Sequence, residues 1–176
     1  MSTMPTNAAG GPAIQHTRWR IDPQRSSVEF QVRHMYGLQT VKGRFERYEG
    51  TLDLAPQPSI ELTIEADSLN TNNARRDEHL RSADFFDTAN HPAVRFVSDQ
   101  VTLDGERVDV RGGLHAAGKS IPVELEGVMR PDGDELEFDA SALADHRRLG
   151  MTWSPLGMVR TPSRVIVRGR LVRDDY

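Results

Sequence analysis

Histidines and one charged segment are the residues of this sequence that could carry chemistry. The six histidines are His16, His34, His79, His91, His115 and His146. No two of them have the His-x-x-x-His spacing of a helical zinc site, and the chain has no cysteine to bind a metal or act as a thiolate nucleophile. A metal site would require the fold to gather His34, Asp77, His79 and His91, so we expect no metal and no cofactor.

The charged segment runs from Arg76 to Arg81 and reads Arg-Asp-Glu-His-Leu-Arg. An acid and a histidine this close could do acid–base work, which leaves open a hydrolase or isomerase that uses His34, Asp77 and His79. However, no serine of the chain lies in a Gly-x-Ser-x-Gly nucleophile elbow. The favoured interpretation is therefore structural: Arg76, Asp77 and Arg81 would tie a helix to neighbouring loops through ion pairs.

The stretch from Gly150 to Val159 is apolar but has neither helical nor strand periodicity. It contains Met151, Trp153 and Met158, whose side chains adapt well to flexible apolar ligands. The stretch could line a ligand cavity or could be an ordinary loop of the core, and the sequence leaves both open.

The secondary structure that the sequence predicts around these residues is mainly β-strand. Apolar and polar residues alternate with a period of two, which predicts antiparallel strands with one dry face. The clearest runs are 27–34, 60–66, 107–114, 121–127, 135–142 and 165–170, with shorter candidates at 41–46, 50–54, 93–98 and 100–104. Eight or more strands joined by short turns predict a closed barrel or a sandwich. His34 continues the inward row of its strand, either as a hydrogen-bonded residue at the rim or as a ligand contact.

One short helix is expected, over Asn73–Ser82, with its first turn capped by a residue of 71–73. Asp77 and Arg81 have the favourable i,i+4 order for an ion pair on its surface. Phe85 and Phe86 follow, with an acid on each side. Such a helix ending in two aromatic residues could plug or cover the mouth of a barrel.

Composition bounds the class of protein. The chain of 176 residues suits one domain, and its net charge of −4 with a pI of about 5.9 argues against a nucleic-acid partner. No run of about 20 apolar residues could span a membrane as a helix. We expect a flexible tail over residues 1–17 and one domain over 18–176. The tail does not read as a secretory signal, so the expected location is the cytoplasm.

Four blocks of the chain resemble the YceI-like family of polyisoprenoid- or lipid-binding proteins. They are Trp19–His34, Val41–Phe45, Ser68–Asp87 and Asp145–Trp153, of which the third, with Arg-Asp-Glu-His-Leu-Arg and Asp-Phe-Phe-Asp, is the most distinctive. One departure stands out, because Ala117 occupies a position where the family usually has a histidine.

The resemblance implies an all-β fold, an eight-stranded antiparallel lipocalin-like barrel with one short helix, whose lumen takes a long isoprenoid or fatty chain. Some members of the family dimerise. We therefore expect a non-enzymatic protein that binds, transports or sequesters a hydrophobic small molecule. The apolar tail would contact Val28, Phe30, Val32, Ile64, Phe85, Phe86, Phe138, Met151, Trp153 and Met158.

Polar head-group contacts are expected from His34, Arg76 or His79. Small inward residues would leave room for the tail, namely Ala66, Gly112, Gly127, Ala140 and Gly169. A third interpretation, besides the carrier and the enzyme, is a filled barrel that presents its helix and Phe85-Phe86 to a protein partner.

Overall fold

The computed structural model describes residues 18–34, 39–151 and 162–174. Most of these residues lie in strands, because alternating β-branched and polar residues suit a sheet with one buried face. The strands are β1 (Arg18–Ile21), β2 (Ser27–His34), β3 (Gln39–Phe45), β4 (Tyr48–Asp53), β5 (Ser59–Glu65), β6 (Leu69–Asn70), β7 (Ala93–Asp104), β8 (Arg107–Ala116), β9 (Lys119–Asp132), β10 (Glu135–Ala144) and β11 (Ser163–Arg173). One α-helix, α1 (Ala74–Arg81), and 3-10 turns at Ala66–Ser68 and His146–Leu149 complete the described part.

The strands pair in antiparallel fashion and close into a ring. The order is β1-β4-β5-β7-β8-β9-β10-β11, and β1 closes the ring by pairing with β11. Three of the eight sides of this ring are each built from two consecutive strands with a bend between them: β1 with β2, β3 with β4, and β5 with β6. β1 and β2 both pair with β11, and β3 pairs with β2 and β6. The prediction of an eight-stranded antiparallel barrel with one short helix is confirmed.

The predicted period of two matches the observed burial along the strands. On β8, for example, Val108 and Val110 are buried whereas Arg107 and Arg111 are exposed. Charged side chains therefore cover the outside of the barrel, and the core is the set of apolar side chains that point to its inside.

One strand differs from the prediction. The two short candidates at 93–98 and 100–104 are a single strand, β7, with a bulge where the register against β8 shifts between Ser98 and Gln100. A bulge inserts one extra residue into a strand and thereby reverses the phase of the alternation. For that reason the sequence pattern looked like two separate strands.

The predicted helix is confirmed, and its start follows from its cap. The side chain of Asn73 accepts a hydrogen bond from the backbone N–H of Arg76 at 3.0 Å, which satisfies one of the donors that an α-helix leaves free at its first turn.

The two ends of the barrel differ in structure. At one end, here called the helix end, lie α1, the 3-10 turn His146–Leu149 and the β8–β9 turn at residues 117–118. At the other end, the turn end, tight turns at residues 105–106 and 133–134 join β7 to β8 and β9 to β10. Among the described residues there is no helix long and apolar enough to cross a membrane.

Candidate functional site

The inner face of the barrel is mostly apolar along the described strands. Strand register places Ile121, Val123 and Leu125 opposite the inward residues of β8, and Ala140 and Ala142 opposite those of β9. Between the two rims, the inward positions of the described strands carry no Lys, Arg, Asp or Glu. An interior of this kind favours an apolar occupant.

Part of this inner face is not fully covered. On the neighbouring strands β9 and β10, Leu125, Met129 and Phe138 point inward and pack against the core, and Ala140 lies beside them in the same inward row. All four remain only half-buried. Fully packed core residues of a small domain would be shielded from solvent. These strands therefore form a wall along which an apolar chain could lie.

The inward glycines do not supply the expected room, and that prediction is wrong. A Cβ atom on Gly112 would lie 2.3 Å from the carbonyl oxygen of Val97 and 2.7 Å from Cζ of Phe96, so the bulged strand and an aromatic ring already fill this space. A Cβ atom on Gly169 would lie 2.1 Å from Oγ of Ser26. These glycines permit close approach of neighbouring strands instead.

Gly127 and Ala66 also leave no room. A Cβ atom on Gly127 would lie 2.2 Å from the carbonyl oxygen of Asp139 on β10. Ala66 is completely buried at the start of a 3-10 turn. Ala140, the remaining small residue of the five, is half-buried on the inner wall.

Several predicted tail contacts share one cluster. Val28 and Phe30 are buried on β2, and the ring of Phe30 lies 5.4 Å from that of Phe45 on β3. Phe86 meets Phe45 edge-on at a centroid distance of 5.8 Å. The chain segment after α1 is thereby attached to the aromatic part of the core, which agrees with a covering role at the helix end.

Phe85 lies apart from that cluster. It packs edge-on against the imidazole of His79 at 5.2 Å, and Nε2 of His79 lies 2.8 Å from a carboxylate oxygen of Asp84. Phe85 and Phe86 are both half-buried. A filled barrel that presents Phe85-Phe86 to a partner would have favoured an exposed aromatic pair, which is not what these positions show.

Arg76 and Asp77 are held by the segment that precedes α1. Asp77 is 7% exposed and accepts hydrogen bonds from the backbone N–H of Thr71 at 2.9 Å and from its hydroxyl at 2.5 Å. The guanidinium of Arg76 donates to the hydroxyl and the carbonyl oxygen of Thr71 at 2.8 and 2.7 Å. The hydrogen bonds of Asp77 and His79 thus go to different residues, and the structure does not assemble them into an acid–base pair.

Arg81 also departs from the expected ion pairing. Its guanidinium donates to the carbonyl oxygens of Asp67 and Leu69 at 2.9 and 3.0 Å, and none of the ion pairs among the described residues joins it to Asp77. The helix is therefore tied down mainly by hydrogen bonds to backbone, not by the predicted ion pairs. Asp77 and Arg81 also line a polar surface cleft of about 320 Å³ outside the barrel.

The remaining predicted contacts are spread along the barrel. Ile64 and Met151 are buried in the core, and Val32 is half-buried at the end of β2. The side chain of His34 lies outside the described residues, as do Trp153 and Met158. Within the part of the chain that the structure describes, no group of three His, Cys, Asp or Glu residues could hold a metal ion.

Ala117 occupies the β8–β9 turn. Its φ is 50° and that of Gly118 is 75°, so both central residues of the turn have the left-handed conformation that a type I′ hairpin requires. The ring of His91 lies against Gly118, where an added Cβ would come within 2.8 Å of it. The position where the family usually has histidine therefore belongs to a strained turn at the helix end.

Sequence reasoning missed one polar pair on the inner side. Nδ1 of His146, in the 3-10 turn after β10, lies 2.9 Å from Oγ of Ser163, the first residue of β11. Ser163 is 8% exposed and lies opposite Ala144, in the inward row of its strand. The sequence could have shown this position, because Ser163, Val165 and Val167 are spaced two residues apart and therefore share the inward face of their strand.

Burial lowers the pKa of His146 below its ordinary value, while the nearby carboxylate of Asp145 opposes this shift. The imidazole is therefore neutral at pH 7. Asp145 itself is bound by Arg147, which donates to it from Nε at 3.2 Å and holds the pKa of that carboxyl below its usual range.

Sequence comparisons place this barrel among known proteins. A family model described as the YceI-like domain matches residues 19–171. A UPF0312 protein of Pectobacterium atrosepticum is 33% identical over 132 residues, which cover 73% of this chain and 68% of that protein. Protein YceI of Escherichia coli O157:H7 is 36% identical over 116 residues, which cover 64% of this chain and 60% of that protein.

Solved structures agree with the fold. Burkholderia cenocepacia BcnA superposes with a TM-score of 0.77 at 18% identity, covering 85% of this chain and 98% of its own. A polyisoprenoid binding domain from Saccharophagus degradans gives a TM-score of 0.71 at 16% identity, covering 91% of this chain and all of its own. At these identities the likeness shows the fold alone.

Proposed function

Because the chain belongs to the YceI-like family, which its residues 19–171 match, we propose that it binds the apolar tail of a long-chain isoprenoid or similar lipid in the barrel lumen. Binding is non-enzymatic and serves to transport or sequester the lipid. The observation that carries this proposal is the uncharged inner face with its half-buried wall of Leu125, Met129, Phe138 and Ala140. The polyisoprenoid binding domain of Saccharophagus degradans, which has the same fold, supports the same class of ligand.

The length of the barrel suits a chain-like ligand. β9 has 14 residues and β7 has 12, so at roughly 3.3 Å per residue these strands are about 40 Å long. Strands of such a barrel tilt, so the lumen is shorter than the strands, yet it remains long enough for a slender chain of many methylenes. Each methylene buried in it would contribute about 0.8 kcal/mol to binding.

The chemistry of the described site favours binding over catalysis. Of the residues of the hydrolase or isomerase alternative, Asp77 accepts hydrogen bonds from Thr71 and His79 lies against Asp84, while the side chain of His34 lies outside the described residues. A general base needs a partner and a substrate position within hydrogen-bond reach.

A titration with a C20 prenol such as geranylgeraniol tests the proposal on delipidated, refolded protein. Trp19 is 3% exposed on the inner face of β1, so its emission in a Trp153→Phe variant reports on the barrel interior. We expect a saturable change in emission with one ligand per chain. An absence of saturable binding in protein of native circular dichroism would overturn the proposal.

A further inference from the structure

We propose that His146 and Ser163 form the binding point for an uncharged polar head group, such as a hydroxyl, carbonyl or amide, at the helix end of the lumen. The inference rests on the proposed lipid binding and specifies the class of lipid. It assigns a role to a half-buried histidine and a buried serine that lie within hydrogen-bond distance of each other on the inner side of the barrel.

The pair lies where an apolar wall ends. Ser163 points inward at the start of β11, opposite Ala144, and Nδ1 of His146 lies 2.9 Å from its Oγ. Leu149 and Met151, which follow His146 along the chain, are both buried. A ligand that lies along the apolar inner wall therefore reaches the polar atoms of His146 and Ser163 at this end.

The lumen beside the pair has accessible surface. Val165, the next inward residue on β11, is half-buried, as is Val32 on the neighbouring strand β2. The pair therefore lies next to inward side chains that are not fully covered.

The pair has hydrogen-bonding capacity left after bonding to itself. A serine hydroxyl has one donor and two acceptor positions, and a neutral imidazole has one donor and one acceptor nitrogen. The hydrogen bond between Nδ1 and Oγ uses one position on each group. The other ring nitrogen and the remaining positions on Oγ can serve a hydroxyl or carbonyl ligand, whichever tautomer His146 adopts.

Charge disfavours an anionic head group at this place. The nearest cation in sequence, Arg147, is already bound to Asp145, and Arg164 next to Ser163 is exposed on the outer face. The carboxylate of Asp145 also adds negative charge near His146. Neither Ser163 nor the neutral imidazole of His146 carries a positive charge that could compensate a desolvated pyrophosphate, so direct contact of an anion with this pair is unfavourable.

Binding assays with three C20 ligands separate the tail from the head group. The ligands are geranylgeraniol, geranylgeranyl pyrophosphate and the head-less alkane phytane, each measured by calorimetry on the delipidated chain. We expect the alcohol to bind roughly 3- to 10-fold more tightly than the alkane, the effect of one or two net hydrogen bonds, and the pyrophosphate to bind more weakly than the alcohol.

Variants locate the head group. Ser163→Ala and His146→Gln should each lower affinity for the alcohol by roughly 3- to 10-fold and leave that for the alkane unchanged. Trp19→Phe is the matched control, because it removes the inward-facing indole N–H that has no hydrogen-bond partner at the turn end. If His146→Gln fails to fold, Ser163→Ala alone decides the result.

The outcomes distinguish this inference from the proposed function. Equal affinity for alcohol and alkane, tighter binding of the pyrophosphate, or loss of alcohol binding in Trp19→Phe but not in Ser163→Ala would overturn the inference while leaving tail binding intact. Failure of all three ligands to bind would overturn the proposed function and the inference together.

Discussion

Ala140 offers the sharpest test of whether the barrel wall is open. It lies inward on β10, opposite Gly127 of β9 and Val167 of β11, and is half-buried. Replacing Ala140 with Phe adds a phenyl ring to this wall. The matched control is Ser141→Phe, which adds the same ring one residue later, where the alternation points outward.

The expected magnitude follows from the space that the ring would occupy. Each methylene buried by a ligand contributes about 0.8 kcal/mol, so a ring that displaces about four methylenes weakens binding by about 3 kcal/mol, or about 200-fold. Overpacking a filled core costs roughly 1–3 kcal/mol of folding stability. If the lumen beside Ala140 is open, as the proposed function requires, the loss of stability in Ala140→Phe should fall below this range.

Two measurements decide the outcome. Calorimetric titration with geranylgeraniol should show the loss of affinity in Ala140→Phe and wild-type affinity in Ser141→Phe. Urea unfolding should show that both variants remain folded. Wild-type affinity in Ala140→Phe would mean that the ligand does not lie along β10, and failure of that variant to fold would mean that side chains already fill the lumen.

Three further predictions concern the polar groups and the strained turn. Ala117→Gly should raise the free energy of unfolding by about 0.5–1 kcal/mol, because the left-handed φ of 50° disfavours a side chain; an unchanged or lower melting temperature would contradict this. Wild-type stability should fall as pH drops below about 6.5, because burial lowers the pKa of the half-buried His146 and the unfolded chain binds the proton first. The fall between pH 6.5 and 5.5 should be smaller in His146→Gln, and equal slopes in urea unfolding would refute the burial argument. Asp77→Ala should cost about 2–3 kcal/mol, since it leaves the buried N–H of Thr71 without an acceptor, whereas Glu78→Ala should cost little; lost ligand binding at unchanged stability would point to a functional carboxylate instead.

The parts of the fold that depend on local sequence were predictable. Alternation of apolar and polar residues identified the strands and the inward positions of Phe30 and Phe138, because side chains of a strand point to opposite faces in turn. Asn73 could be identified as a helix cap because its partner is only three residues away. The bulge in β7 was less accessible, since one extra residue reverses the alternation and makes a single strand look like two.

Features that depend on register between distant strands were not predictable. His146 and Ser163 are 17 residues apart and meet because β10 and β11 pair with Ala144 opposite Ser163. Gly112 looked like open space, yet the strand that fills it is set by pairing across the bulge. The sequence pattern shows which face a residue occupies, but not which atoms of another strand reach it.

Mass spectrometry of lipid extracted from the purified chain is the most direct test of lipid binding in the lumen. We expect about one long-chain lipid per protein molecule, with an uncharged polar head group, and its loss from Ala140→Phe but not from Ser141→Phe. Wild-type protein that repeatedly yields no lipid above background would contradict a lipid-binding lumen. So would equal amounts of extracted lipid from Ala140→Phe and Ser141→Phe.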